Sequence, residues 1–210
     1  MKQSLPFLIE QLKKPLPGID SHKSFYPYRF KEENTLDYSN FRKAVVGIHI
    51  FPTEDEFSIL LIERSEYDGT HSKQIAFPGG KVDAEDHSTE YTARRESFEE
   101  VAIPFEAGEV IGQLTEVNIP ISKFNVIPFV FYHENLPELK KNEREVNEIL
   151  TIRFSDLLND QFKTSTSIRI NQQVIMPNVP CFIINEKIIW GATALILNEL
   201  KLICKEAWGY

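Results

Sequence analysis

Three glutamates, Glu96, Glu99 and Glu100, stand at i, i+3 and i+4 in the run Arg95-Glu96-Ser97-Phe98-Glu99-Glu100. On one helix, carboxylates this crowded repel one another unless a divalent cation sits among them. Pro78, Gly79 and Gly80 lie just upstream. They are expected to make a tight turn in which the backbone approaches a ligand or metal closely, because no Cβ stands in the way. A glycine loop feeding an acid-bearing helix reads as a metal-dependent active site. A solvated acidic face is the usual fate of a charge run, but here the loop and a segregated apolar face favour the metal.

The helix that must carry these acids can begin near Asp86 or Ser88, both good N-cap types, and should stop at Ile103 because Pro104 follows. At about 100° per residue, the three glutamates fall within roughly a third of the circumference, and Tyr91, Phe98, Val101 and Ala102 gather on the opposite side. Arg94 and Arg95 offset some of the charge, and Arg95 reaches Glu99 at i+4.

Gly80 followed by Arg95-Glu96-x-x-Glu99-Glu100-x-x-Ile103 resembles the Nudix box, G-x5-E-x7-R-E-U-x-E-E-x-G-U with U apolar. The interval from Gly80 to Arg95 is one residue longer than usual, so Glu85 or Asp86 must substitute for the first glutamate. Ala102 replaces the usual glycine, and Ser97 the usual apolar residue. The longer interval and the Glu99-Glu100-Val101-Ala102-Ile103 ending are similar to the coenzyme A pyrophosphatase branch of the Nudix hydrolases. That branch has a second signature, L-L-T-x-R-S and then G-Q-V/I-A/S-F-P-G-G. Its counterparts here are Leu60-Leu61-Ile62-Glu63-Arg64-Ser65 and Lys73-Gln74-Ile75-Ala76-Phe77-Pro78-Gly79-Gly80. Ile62 stands in for threonine and Lys73 for glycine, and a lysine near a polyphosphate is electrostatically sensible. The resemblance covers roughly Ala44 to Leu202.

With 210 residues, 42% of them hydrophobic, the chain suits one well-packed domain rather than two. The net charge of −8 argues against a nucleic-acid partner. It leaves room for an anionic small molecule, since a bound cation and a few local basic groups can invert the field at one site. Cys181 and Cys204 have no metal-binding spacing and read as core thiols. Met1 to Leu16 lacks an apolar leader, and the best apolar run, Ile188 to Ile203, is interrupted by Asn198, Glu199 and Lys201. The expectation is a soluble cytoplasmic protein with no membrane partner.

Residues 1–40 are expected to form an N-terminal helix, ended by Pro15 and Pro17, and an extended arm over Asp20 to Asn40. The aromatic residues of that arm read as a strap rather than a lid, and helix and arm together are candidates for a homodimer contact. Residues 41–210 form the Nudix-like domain. Lys43–Phe51 and Phe57–Glu63 read as a hairpin that delivers Arg64 to the site, and Gln74–Phe77 as a short strand into the glycine turn. Glu109–Asn118 and Asn125–Tyr132 are strand-like, and the loop Ile119–Phe124 between them is a candidate pocket wall. In the charged stretch Lys140–Glu148, Glu145 is the candidate loop acid, with Glu143 and Glu148 competing. Ile168–Ile184 supplies two strands around Pro177–Pro180, and Trp190-Gly191-Ala192-Thr193-Ala194 opens a structural helix to Lys205.

The resemblance implies an α/β/α sandwich with a mixed β-sheet, and hydrolysis of a pyrophosphate bond. Mg²⁺ or Mn²⁺ would be held by Glu96, Glu99 and Glu100, with Glu145 or a helix acid such as Glu99 taking the proton. Arg64, Ser65, Lys73, Gln74, Gly79 and Gly80 would contact substrate. The implied substrate is coenzyme A or a derivative, cleaved to 3′,5′-ADP and 4′-phosphopantetheine or its acyl form. The alternatives are a hydrolase of ADP-ribose or another nucleoside diphosphate derivative, and a Nudix-like domain that binds nucleotides without cleaving them.

Overall fold

The computed structural model describes residues 4–30, 37–65, 74–169 and 174–209. Among them the strands form one eight-stranded sheet and one three-stranded sheet. The long strand β1 (Arg42–Pro52) lies at the centre of the larger sheet. It pairs in parallel with β7 (Phe124–Tyr132) along its length, from Arg42 opposite Phe124 to Ile50 opposite Tyr132. The other pairings are antiparallel, so the sheet is mixed as expected.

The opposite edge of β1 is divided, and this division makes the site. β2 (Phe57–Arg64) pairs with β1 only through Phe57, Ser58 and Ile59, and then runs on against β8 (Val146–Arg153). The segment Ile75–Lys81 fills the gap between the two parting strands. Its first part, β3 (Ile75–Ala76), pairs with β2, and its second, β4 (Gly79–Lys81), pairs with β1. Gly79 and Gly80 therefore belong to a sheet ladder. The expected tight turn is replaced by strand, because Val45 and Val46 lie directly opposite the two glycines.

Strand alternation sorts β1 between two layers. Ile48 and Ile50 face the main core, while Val45 and Phe51 face smaller clusters that include Ala93 and Val101 of α3 (Thr89–Val101). The main core is closed by α5 (Gly191–Trp208), which packs against α1 (Leu5–Leu12), α2 (Gly18–Phe25) and α4 (Phe154–Leu158). Helices thus cover both faces of the sheet, giving the α/β/α sandwich. Cys181 and Cys204 are buried free thiols.

The N-terminal region departs from its expected form. Residues 18–25 are helical rather than extended, and Pro27–Phe30 continue as a 3₁₀ turn. Tertiary contacts overrode the weak local pattern: Phe25 stacks on Phe182 at 5.3 Å, and Asn198 donates to the Ser21 carbonyl at 3.0 Å. Leu8, Leu12 and Phe25 share the main core with α5. The buried Glu199 carboxylate accepts from Gly18 N–H at 2.9 Å and from the Thr115 N–H and hydroxyl at 3.0 and 2.6 Å, and Trp208 Nε1 donates to the Ser4 carbonyl at 2.9 Å.

The expected strand over Glu109–Asn118 divides into β5 (Glu109–Gln113) and β6 (Val117–Ile119). The small sheet comprises β9 (Lys163–Arg169), β10 (Ile175–Ile184) and β11 (Lys187–Trp190). Pro177 and Pro180 lie within β10 instead of separating two strands. An irregular register between Met176 and Val179, with Asn178 left-handed at φ 53°, accommodates them. Among the described residues, no helix is long and apolar enough to cross a membrane.

Candidate active site

The helix α3 is tied at both ends. Ser88 is its N-cap, its hydroxyl accepting from Tyr91 N–H at 3.0 Å, and Ala102 closes it in the left-handed conformation at φ 59°. Ala102 occupies a position where a side chain carries a steric cost of about 1 kcal/mol. Ala102→Gly should therefore raise the melting temperature by roughly 2–4 °C and leave turnover unchanged, as a thermal melt and an activity assay will show.

The helix does not present the expected faces. Phe98, assigned to the core side, is 56% exposed, whereas Ser97 and Glu100 are buried. The apolar count missed this because the partners of Ser97 and Glu100 lie on strands remote in sequence. Gly79 N–H donates to Glu100 Oε2 at 2.8 Å, and Arg64 Nη1 stands 3.5 Å from Glu100 Oε1. Burial still pushes the Glu100 carboxyl up to about 8, against the Gly79 hydrogen bond and the Arg64 charge, with Glu96 and Glu145 adding to the rise. Glu96 is raised in the same direction, first by burial and then, against Arg95, by the charges of Glu99 and Glu145. Glu96 lies so close to the chain at Gly80 that a Cβ there would stand 2.4 Å from its carboxyl carbon.

Arg95 gathers the remaining acids. Its Nε and Nη2 each donate to Asp86 at 2.9 Å, and its Nη1 donates to Glu96 at 2.8 Å and to Glu99 at 3.2 Å. The Arg95 hydrogen bond, chiefly, holds the Asp86 carboxyl well below the usual carboxylate range. Asp86, a candidate for the first acid of the box, is thus committed to Arg95, and Glu85 is exposed. Glu99, with its side chain 46% exposed, turns outward to Arg95.

Of the loop acids, Glu143 is paired with Lys141 at 2.9 Å and Glu148 with Lys187 at 2.6 Å. Glu145 carries the charge felt by both Glu96 and Glu100. Its carbonyl accepts from Ser65 N–H at 2.9 Å, fastening the loop beside Arg64. Gln74 gives its carbonyl to Arg64 N–H at 3.0 Å. Lys73 lies outside the described residues.

A cavity of about 640 Å³ opens from this cluster. Arg64, Gln74, Gly79, Gly80 and Glu96 line it, as does the expected wall Ile119–Phe124 through Ile119, Ile121 and Phe124. Its apolar lining continues through Met176, Val179 and Trp190, and Tyr26 and Arg29 come from the N-terminal region. Sequence reasoning gave Met176, Val179, Trp190 and Arg29 no role in the pocket, and preferred a strap to a lid for the arm that holds Tyr26. The tryptophan entry to α5 was visible only as a helix start, and the small sheet's approach to the cavity is set by tertiary packing.

The donor set suits a hard divalent cation, since Glu96, Glu99 and Glu100 offer carboxylate oxygens and Glu96 and Glu100 are held against their own desolvation. Among the described residues no three such side chains are gathered to hold an ion as they stand. Arg95 and Arg64 now engage the carboxylates that a cation would take.

Residues 40–169 match the family model of the NUDIX domain. Curated relatives include two proteins described as an uncharacterized Nudix hydrolase, NudL, from Yersinia pestis (strain Pestoides F) and Yersinia pseudotuberculosis serotype O:1b (strain IP 31758). Each is 34% identical over 174 residues, spanning 80% of this chain and 85% of its own. Among solved structures, the chain is similar to a MutT/nudix family protein from Enterococcus faecalis, 16% identical with a TM-score of 0.48, over 89% of this chain and 71% of that one.

Proposed function

This chain belongs to the Nudix family, and from that premise we propose that it is a pyrophosphohydrolase cleaving coenzyme A or its derivatives to 3′,5′-ADP and 4′-phosphopantetheine or acyl-phosphopantetheine. The observation that carries the reading is that Glu96 and Arg64, the latter 3.5 Å from Glu100, line a largely apolar cavity. A site of this shape suits a diphosphate attached to a long arm of low charge better than one attached to a second sugar.

Nudix hydrolases generally use divalent metals, and Mg²⁺ or Mn²⁺ at Glu96, Glu99 and Glu100 would neutralise the diphosphate and lower the pKa of a bound water. Arg64 would hold a phosphate oxygen, and its buried Nε has no hydrogen-bond partner among the described residues. Glu145 would take the proton from the attacking water, a role its charge beside Glu96 and Glu100 supports. The alternative general base is Glu99, whose exposed carboxylate is paired with Arg95. Ser65, Gln74, Gly79 and Gly80 would form the backbone frame around the diphosphate, and the apolar walls would exclude water from it.

The test is mass-resolved hydrolysis of a pool of coenzyme A, acetyl-coenzyme A, ADP-ribose and NADH, with Mg²⁺ or Mn²⁺ and with EDTA. Release of 3′,5′-ADP that EDTA abolishes is the expected result. Cleavage of ADP-ribose or NADH alone would retain the hydrolase and discard coenzyme A. Retention of a nucleotide without cleavage would favour the non-catalytic binding domain.

A further inference from the structure

Ser97, between the carboxylates Glu96 and Glu100, is the end of a buried chain of side-chain hydrogen bonds. Its hydroxyl spends its one proton on the Ala93 carbonyl at 2.7 Å. The bond to His49 at 2.8 Å must then be donated by His49 Nε2–H. Nδ1 of a neutral His49 is consequently an acceptor, and His133 Nε2–H donates to it at 2.8 Å. All three donors point the same way, from β7's end through β1 into the helix. Burial comes first among the causes that keep both imidazoles neutral, with the Arg94 charge beside them, and it lowers His133 to about 4.

The surroundings are shaped to this chain. A Cβ at Gly47 would stand 2.7 Å from His49 Nε2 and 3.1 Å from Ser97 Oγ, and one at Gly108 would stand 2.6 Å from His133 Cε1. The His49 ring stacks on Phe131 at 5.0 Å. The Arg94 guanidinium lies over the Phe131 ring, 5.0 Å from its centroid, and donates to the Phe105, Ala107 and Gly108 carbonyls. The helix is thus held to the sheet at Ser97, through His49, and at Arg94, through Phe131 and the segment after the helix.

We infer that His49 and His133 are positioning residues which, through Ser97, fix the rotation and height of α3 and so set Glu96 against Gly80 and Glu100 against Gly79. The inference rests on the reading of Glu96 and Glu100 as working carboxylates. Serine at this point of the helix, where the family pattern carries an apolar residue, is explained by the two imidazoles. A displacement of about 1 Å in such a frame can cost on the order of 100-fold in rate.

The experiment compares Ser97→Ala with the wild type on coenzyme A, or on ADP-ribose if that is the compound cleaved, at a temperature where both are folded. Cys204→Ala, in the core of α5, serves as the control for destabilisation alone. Ser97→Ala should lower kcat about 10- to 100-fold, leave KM within about threefold, and weaken Mn²⁺ binding measured by water-proton relaxation. Cys204→Ala should lose melting temperature with kcat unchanged. Nitrogen-15 spectra of the wild-type histidines near pH 7 should show both imidazoles neutral and protonated at Nε2, whether or not Ser97→Ala folds. Kinetics and Mn²⁺ binding of Ser97→Ala equal to wild type, or a charged or Nδ1-protonated imidazole at either position, overturn the inference. A wild type that neither binds Mn²⁺ nor cleaves a diphosphate overturns the functional reading, and the inference with it.

Discussion

Glu100→Gln leaves the protein folded and lowers metal-dependent turnover by about three orders of magnitude or more. Glutamine keeps the shape and can still accept the Gly79 N–H bond, so the core contact survives. It cannot supply the negative charge that a divalent cation and the developing transition state require. The same variant reports on the carboxyl's ionisation. With a folded pKa of about 8 against the usual 4.5, Glu100 keeps its proton in the native state after the unfolded chain has lost it. That contribution to stability is complete below about pH 4.5 and is lost as pH rises through about 8. In EDTA, wild type should therefore lose melting temperature relative to Glu100→Gln between pH 5.5 and 8.5, and Mg²⁺ or Mn²⁺ should restore it in wild type alone. Near-normal turnover in the variant would sink the assignment, and a pH-independent gap in melting temperature would sink the account of Glu100.

The two neighbouring glycines should fail in different ways. A Cβ at Gly79 would stand 2.2 Å from the Val45 carbonyl oxygen and 2.7 Å from Val46 Cα, on a backbone at φ 157°. Those are main-chain atoms of a paired strand and have nowhere to retreat, so Gly79→Ala should cost about 4 kcal/mol or more and yield little folded protein. The nearest atoms to a Cβ at Gly80 belong to the Glu96 carboxyl group, the far end of a side chain that can swing aside. Gly80→Ala should keep most of its melting temperature and lose about 100-fold in turnover as Glu96 is displaced. Thermal melts and single-substrate kinetics on both variants check this. Equal unfolding of the two, or full activity of Gly80→Ala, would remove the proposed partnership between Gly80 and Glu96.

What was legible in the sequence was local. Arg95, Glu96, Glu99 and Glu100 interact within one helix, so their spacing specified both the helix and the Arg95–Glu99 contact at 3.2 Å. The hairpin of β1 and β2 followed from alternation and a polar turn, and the short strand before the glycines from the same rule. What failed depended on partners far along the chain. The two glycines look like a turn until Val45 and Val46 are set opposite them. Phe98 looks like a core residue and Ser97 like a surface one until His49 arrives from β1 and His133 from just beyond β7. Gly18–Phe25 shows no firm apolar period to announce a helix, and Phe25 of that helix packs against Phe182. The extra residue between Gly80 and Arg95 likewise acquired meaning only when Asp86 was found bound to Arg95.

The junction of α1 and α2 with α5 constrains the order in which these elements can pack during synthesis. Residues 5–25 emerge from the ribosome early, yet much of their packing is against residues 191–208. Leu8, Leu12 and Phe25 need α5 beside them, Gly18 needs Glu199, and the Ser4 carbonyl needs Trp208. Until α5 is made, the apolar stripe of α1 can pack against β5 but lacks the helix that completes its cover. Closure then joins segments far apart in sequence, Ser4 to Trp208 among them, a slow kind of contact to form. A deletion within α5 would consequently release the N-terminal helices as well, and with them Tyr26 and Arg29 from the cavity wall.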